Sequence, residues 1–343
     1  MKQLMFVLSG EHPTLPAAEA GAAIKAEHKA FKVVEQLDQV LIVETKAEAK
    51  ALASRLAMSR EICLHLCTTG ATKGEIMEAV GSSDVVDLLP HGKTFAVRIK
   101  RVKRSSEGLD VLKLAKDIAG IVAEEIDFKV DLDNPEVELL GVLSGEKCVF
   151  GVTLERVNTS QLNKRRPTSR PAFHPGTMMP TLARCMVNLA RTPRKGNFLD
   201  PFCGVGGILL EAGLIGAKLV GVDIERDMVE GARKNLTESG LSDFQLMVGD
   251  ARKLPPLEVD AIATDPPYGR QTTTGGAELK ELYKEALPSM AGVLEKKGYL
   301  CITSPAELEL DDLAYGVGLR TIEKHEQRVH RSLTRRIYVF RRK

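Results

Sequence analysis

Short apolar runs recur along the chain between helix-like stretches, and their periodicity separates strands from helices. In the first part, residues 4–8 read as a strand and residues 17–30 as an alanine-rich helix. A strand around Val40, Ile42 and Val43 follows, then a helix over 47–58 and a strand over 62–67. This βαββαβ-like rhythm fits a small α+β domain. Residues 94–99 alternate as a strand whose polar face is basic, and Leu112, Ala115, Ile118, Ala119 and Val122 mark a helix over 110–124. Residues 137–143 and 148–154 are strands joined by Ser144-Gly145-Glu146-Lys147, a hairpin signal.

Residues 158–175 break the pattern, being polar and rich in Arg, Ser, Thr and Pro, and read as a linker. Beyond residue 196, β-rich runs at 198–202, 219–224, 244–248, 261–264 and 299–303 alternate with helices. That order predicts a doubly wound parallel α/β sheet. Residues 335–341 alternate again with no helix before them, and are expected to join the sheet as an antiparallel edge strand.

Composition narrows the class. With 27% charged and 43% hydrophobic residues in 343, the chain has the balance of a globular protein with two or three domains. No apolar run reaches the ~20 residues that span a bilayer. The N-terminal run lacks a small-residue cleavage pattern and reads as a first strand, so a cytoplasmic location is expected. Six scattered cysteines are no disulfide framework. Cys63, His65 and Cys67 would share one strand face, but no second ligand pair at finger-like spacing accompanies them, so no metal is assigned. The net charge of +2 conceals basic clusters at 93–104 (Arg98, Lys100 and Arg101 among them), at Lys164-Arg165-Arg166 with Arg170, and at 328–343. Such clusters can face a polyanion, or simply be solvated.

The chemistry concentrates in the second half. Four strand-like runs end in acids, Asp200, Asp223, Asp250 and Asp265, where open α/β sheets bind ligands. After Asp200 come Phe202, Gly204 and Gly206, then a helix; glycines there let a ligand approach the backbone. The third glycine of the dinucleotide fingerprint is absent, since residue 209 is Leu. Asp223, followed by Ile224, can accept both hydroxyls of a ribose, and Asp250, followed by Ala251, can accept from an adenine amino group. Singly, each acid could also be a helix cap or turn former; the series argues for a ligand. The fourth run ends Asp265-Pro266-Pro267-Tyr268. Two prolines stiffen this loop and remove donors. The Asp265 carboxylate and Pro266 carbonyl suit an amino group held by both hydrogens, and Tyr268 offers a stacking face worth about 1–3 kcal/mol per base.

On these residues the chain from Pro171 to about Tyr338 resembles the class I, Rossmann-like S-adenosylmethionine methyltransferases with a D/N-P-P-Y/F loop. Arg170-Pro171-Ala172-Phe173-His174-Pro175-Gly176-Thr177-Met178-Met179-Pro180 looks like the segment preceding the first sheet strand in archaeal and eukaryotic tRNA guanine N2-methyltransferases. That similarity implies Thr177 near the methionine end of the cofactor. Phe95-Ala96-Val97-Arg98-Ile99-Lys100-Arg101 and Val130-Asp131-Leu132-Asp133-Asn134-Pro135-Glu136-Val137 resemble a THUMP domain preceded by a ferredoxin-like segment, which implies tRNA as partner. Together they resemble the archaeal tRNA (guanine-N2-)-methyltransferases that modify position 10.

The resemblance implies a ferredoxin-like domain over 1–57, THUMP over 58–155, a linker over 156–171 and the methyltransferase over 172–343. It implies S-adenosylmethionine as cofactor, bound by Thr177, Asp200, Phe202, Gly204, Gly206, Asp223, Ile224, Asp250 and Ala251. Asp265, Pro266 and Tyr268 would be catalytic; Arg98, Lys100, Arg101, Lys164, Arg165 and Arg166 would bind RNA. A small activating subunit is implied for some relatives. Two classes stand against this reading. A nicotinamide oxidoreductase shares the glycine turn but gives the Asp-Pro-Pro-Tyr loop no task, and a non-catalytic RNA-binding protein would need none of the strand-end acids. The loop alone does not separate guanine from adenine or RNA from DNA.

Overall fold

The computed structural model describes residues 1–82, 93–125, 129–267, 276–330 and 333–343. The chain divides into two compact units. The first comprises Met1–Glu11, Lys29–Ala53 and Ser59–Val157. Its strands are β1 (Lys2–Leu8), β2 (Phe31–Leu37), β3 (Val40–Thr45), β4 (Ser59–Gly70), β5 (Thr94–Arg101), β6 (Lys129–Val130), β7 (Val137–Ser144) and β8 (Lys147–Arg156). They form one eight-stranded sheet in the order β2-β3-β1-β4-β8-β7-β5-β6. The two small domains expected on either side of residue 57 therefore share a sheet, with β1 paired antiparallel to β4.

The β7–β8 hairpin turns through Gly145 at φ +61°, as its sequence signal predicts. Within this unit, helix α4 (Val111–Glu125) follows α2 (Ala49–Ala53) and α3 (Lys73–Gly81) in chain order. Its Leu114, Ile118 and Val122, spaced four apart, pack with Phe95, Leu139 and Phe150. Leu112, assigned to that stripe from the sequence, instead points outward and is 82% exposed. Cys63 is buried with its Sγ 3.8 Å from Thr153 Oγ1, and burial pushes its thiol up to about 12.

The second unit comprises His12–His28, Ser54–Met58 and Asn158–Lys343. Its strands are β9 (Asn197–Asp200), β10 (Lys218–Asp223), β11 (Phe244–Val248), β12 (Val259–Thr264), β13 (Leu294–Pro305), β14 (Leu319–His330) and β15 (Leu333–Arg342). The sheet order is β11-β10-β9-β12-β13-β15-β14. The five strands from β9 to β13 are parallel, and β15 runs antiparallel to β13. The expected antiparallel strand is present, but it is not the edge. Strand β14, whose sequence is too charged to stand out, pairs outside it.

Helix α1 (Leu15–Ala26) was expected within an N-terminal domain, yet it belongs to this second unit. Small alanine side chains bury it nearly all round, so no amphipathic stripe marks its partner. The residues 158–175 read as linker hold a short helix α5 (Thr159–Lys164) and also belong here. The attachment of α1 is polar as well as apolar. Leu15 and Ala22 join the core with Met186 and Leu189 of helix α6 (Pro180–Leu189). Fully buried Glu19 accepts from the backbone N–H groups of Ala57 and Met58 and from Asn188 Nδ2 at 2.8–2.9 Å. Arg55, also fully buried, donates to Asn188 Oδ1, Glu27 Oε1 and the Thr192 carbonyl.

No helix among the described residues is long and apolar enough to cross a membrane. Because each member of the Glu19–Asn188–Arg55 network satisfies another, removing one leaves buried groups unpaired. Arg55→Met is expected to lower the unfolding free energy of this unit by about 3–5 kcal/mol in a denaturant titration. A loss within a few tenths of a kcal/mol contradicts the network's role.

Candidate active site

The strand-end acids stand where the sequence places them. Asp200 closes β9, Asp223 closes β10, Asp250 follows β11 by two residues and Asp265 follows β12 directly. The chain order reverses between β9 and β12, which opens a crevice at this edge of a parallel sheet. Between β9 and helix α7 (Gly207–Leu214), Gly204 and Gly206 adopt φ +48° and +79°, which a side chain would strain. A Cβ on Gly206 would also stand 3.1 Å from Ala232 Cβ in helix α8 (Arg226–Glu238), so the turn packs closely on α8.

Each acid is held by its own donors. Asp223 Oδ2 accepts from Gly204 N at 2.8 Å and Oδ1 from Glu225 N at 3.0 Å, which ties β10 to the glycine turn. Asp250 caps the short 3-10 turn Ala251–Lys253 and is gripped by the Arg252 guanidinium, with Nη2 2.6 Å from Oδ2. The Arg252 side-chain bond holds the Asp250 carboxyl below its ordinary range. Both acids thus do the capping work that the sequence left open beside ligand binding. A carboxylate has about four lone-pair sites, so Asp223 keeps acceptor capacity, whereas Arg252 contacts each Asp250 oxygen twice. Sequence reasoning did not anticipate Arg252.

Asp200 differs from the others in being 1% exposed. Its Oδ1 accepts from Thr264 Oγ1 at 2.7 Å and from Phe202 N at 3.2 Å. It therefore braces the end of β12 from inside rather than facing the crevice. Thr303, at the end of β13, hydrogen-bonds Asp265 Oδ1, and Arg335 Nη1 of β15 lies 3.8 Å from Asp265 Oδ2. Buried Tyr283 donates to the Thr303 carbonyl at 2.8 Å and fixes that strand end in turn. Thr264, Thr303 and Arg335 carried no motif signal in the sequence; the pairing of β12 with β9 brings Thr264 to Asp200, and the register of β12, β13 and β15 brings Thr303 and Arg335 to Asp265. Pro266 is buried and Pro267 exposed, while Tyr268 and the loop through Gly275 lie outside the described residues.

The remaining cofactor candidates spread around this crevice edge. Phe202 is half-buried, Ile224 is 66% exposed beside Asp223, and Ala251 is buried. Thr177 donates to the His174 carbonyl at 2.6 Å, and its Cγ2 would meet a Cβ on Gly207 at 3.3 Å, which sets it at the glycine turn.

The expected RNA-facing cations are more constrained than their sequence implies. In β5, Arg98 pairs with Glu138 and Lys100 with Glu61, both at 2.6 Å, and Arg156 reaches the same two carboxylates. Burial would raise the Glu138 carboxyl, but Arg98 and Arg156 outweigh it and hold it low. Arg101 donates to the Ser106 carbonyl at 3.1 Å and also to that of Leu109. These side chains pair within their own unit, and Glu61 and Glu138 offset half the charge of Arg98, Lys100, Arg101 and Arg156. Arg165 likewise turns inward to a bidentate pair with fully buried Glu211. Lys164 and Arg166 stay exposed.

Burial raises the Asp200 carboxyl to about 7; Thr264 and the Phe202 N–H oppose the rise, while Asp223 and Asp265 add to it. The unfolded value is about 4, so the stability this group contributes is present below about pH 4 and lost as pH rises through about 7. Asp200→Asn removes that titration. Its melting temperature is expected to rise relative to wild type between about pH 4 and pH 8. A difference that stays constant over that interval contradicts the assignment.

Comparison with known proteins places this geometry. Residues 167–337 match the RMKL-like methyltransferase domain family and residues 70–153 match the THUMP domain. The chain is 38% identical to the tRNA (guanine(10)-N2)-dimethyltransferase of Methanothermobacter thermautotrophicus, covering 99% of both chains. It is 36% identical to the enzyme of the same name from Pyrococcus abyssi, covering 95% of this chain and 96% of that one. The crystal structure of TrmN from Thermus thermophilus shares the fold, with a TM-score of 0.55 at 20% identity, over 99% of this chain and 100% of that one. With a THUMP domain, a methyltransferase sheet edged by four acids and this full-length likeness, the chain belongs to the tRNA (guanine(10)-N2)-dimethyltransferase family.

Proposed function

We propose that the chain transfers methyl groups from S-adenosylmethionine to the exocyclic amino nitrogen of guanosine 10 in tRNA, once or twice. The observation that carries this reading is Asp265 beside Pro266 at a strand end, its carboxylate held from two sides by Thr303 and Arg335. The N-terminal THUMP match supports tRNA as the substrate, and the amino-group chemistry of the loop matches the relatives' named product. The cytoplasm, where tRNA is abundant, is the compartment this activity implies.

The residues fit the donor. Gly204, at positive φ with nothing near its Cβ position, leaves an open cradle, Asp223 presents a carboxylate suited to ribose hydroxyls, and exposed Ile224 offers an apolar face for a base. Asp250 is assigned the adenine amino group, for which one of its four contacts with Arg252 gives way. Phe202, Gly204, Gly206, Ala251 and Thr177 complete the contacts, while Asp200 acts as a brace. When bound, S-adenosylmethionine supplies a methyl group activated by a positive sulfonium.

Everything else falls to the chain. A purine amino nitrogen is a poor nucleophile because its lone pair is delocalised into the ring. Accepting its two N–H bonds at the Asp265 carboxylate and the Pro266 carbonyl favours a pyramidal nitrogen with its lone pair free. As the nitrogen gains positive charge, these fixed acceptors stabilise it without reorganising. The proton it sheds passes to Asp265, directly or through water. Because Thr303 and Arg335 fix Asp265, little of this geometry has to be assembled at each turnover. Tyr268 is assigned the stacking face for guanine. Lys164 and Arg166, with the half-exposed Arg98 and Lys100, are assigned to RNA phosphates.

Labelled methyl groups mapped on tRNA transcripts test the reading. Purified chain with S-adenosylmethionine is expected to label guanosine 10; labelling of duplex DNA instead of tRNA would overturn it. Asp265→Ala is expected to lower turnover by on the order of 10²–10³-fold or more while S-adenosylhomocysteine affinity holds. Asp223→Ala is expected to do the converse, weakening that affinity first. Near wild-type turnover by Asp265→Ala refutes the mechanism.

A further inference from the structure

We propose that Arg170 binds the α-carboxylate at the amino-acid end of the methyl donor, an assignment that rests on the donor identified above. The segment carrying Arg170 runs over the glycine turn. A Cβ on Gly207, the first residue of α7, would stand 3.1 Å from Arg170 Nη1 and 3.3 Å from Thr177 Cγ2. The neighbouring Ala172 is pinned through its N–H and carbonyl to the Asn235 side chain, which also donates to the Val205 carbonyl inside the turn. The guanidinium thus stands against Gly207 at the start of α7, close along the chain to Gly204, whose Cβ position is open.

Its bonding is incomplete. Nε donates to the Arg165 carbonyl at 2.9 Å, but Nη1 and Nη2 are both buried and have no hydrogen-bond partner among the described residues. A guanidinium is always charged and carries five donors, so leaving its buried η nitrogens unpaired is costly. The nearby carboxylate, Glu211, is already used. Arg165 takes both of its oxygens, and Arg184 Nη2 shares Oε2 at 2.8 Å. Three guanidiniums thus crowd a single fully buried carboxylate. Burial disfavours the Arg170 cation there; Glu211 opposes this from a distance, without a hydrogen bond to the η nitrogens, and the Arg165 charge adds to it. The site lacks an anion.

The donor has one. Its adenine, ribose and sulfonium carry no negative charge, whereas its amino-acid end carries a carboxylate. The strand-end residues Asp200, Asp223, Asp250 and Asp265 would repel that group. A guanidinium fork matches a carboxylate with two parallel N–H bonds, which a lysine ammonium cannot reproduce. The sequence grouped Arg170 with Lys164, Arg165 and Arg166 as phosphate-facing; the burial of its η nitrogens points it at a small ligand instead.

Calorimetry on the whole chain separates the cases, with S-adenosylhomocysteine and its decarboxylated analogue as probes. Wild type is expected to prefer the carboxylated ligand by roughly 10- to 100-fold. Arg170→Ala is expected to lose that preference by weakening S-adenosylhomocysteine alone, and Arg170→Lys to keep part of it. Should Arg170→Ala not fold, Arg170→Gln and Arg170→Lys report the same discrimination. Intact discrimination in a folded variant overturns the proposal. So does an equal loss on both ligands, or a loss confined to tRNA binding. Wild-type binding to neither ligand would remove the donor assignment itself, and the proposal with it.

Discussion

Four carboxylates share the carboxyl edge of one parallel sheet, and like charges so placed make each other's ionisation harder. The effect is visible at Asp200, where burial dominates but Asp223 and Asp265 add to the upward shift. The structure manages the crowding by giving every acid fixed donors. Thr264 and the Phe202 N–H serve Asp200, Gly204 and Glu225 N–H groups serve Asp223, Arg252 serves Asp250, and Thr303 with Arg335 serves Asp265. Thr264, the Gly204 N–H and Thr303 also join neighbouring strand ends, so charge and rigidity arise there from the same bonds. Strand order makes this possible, because Thr264 reaches Asp200 through the pairing of β12 with β9 and Thr303 reaches Asp265 through that of β12 with β13.

The catalytic unit is assembled from distant parts of the chain. Its helix α1 and the Ser54–Met58 segment come from the first sixth of the sequence, and buried Glu19, Asn188 and Arg55 fix them. A polar network of this kind is weak as a source of stability but strict about partners, since each member left alone would be an unpaired buried group. Helix α6, which carries Asn188, begins at Pro180, three residues beyond Thr177. Changes near α1 are thus linked along one short stretch of chain to the cofactor side of the site.

Much of the site was legible because its signals are local. Apolar runs between helices located β9 to β12, and an acid at each run's end marked the crevice before any strand order was known. Glycines 204 and 206 were legible for the same reason, as a turn before a helix that a ligand can approach, and their positive φ gives a further reason for glycine there. What stayed hidden depends on contacts between residues far apart in sequence. Thr303 and Arg335 are ordinary strand residues until register brings them to Asp265. Strand β14 is charged along its length and lacks the apolar alternation that would reveal it. Alanine-rich α1 has no stripe to declare which unit it joins. Composition overstates the net charge of the basic clusters for a related reason, because it counts Arg98, Lys100 and Arg165 but not Glu138, Glu61 and Glu211 opposite them.

The central claim is that the chain presents two fixed acceptors to the amino group of one guanine. It is tested most directly by methyl incorporation into paired tRNA transcripts that carry guanosine or inosine at position 10. Inosine keeps the purine ring and its carbonyl but lacks the 2-amino group. The expected result is incorporation into the guanosine transcript, with none above background into the inosine transcript, while both bind the protein alike. Equal incorporation into the two would contradict the account.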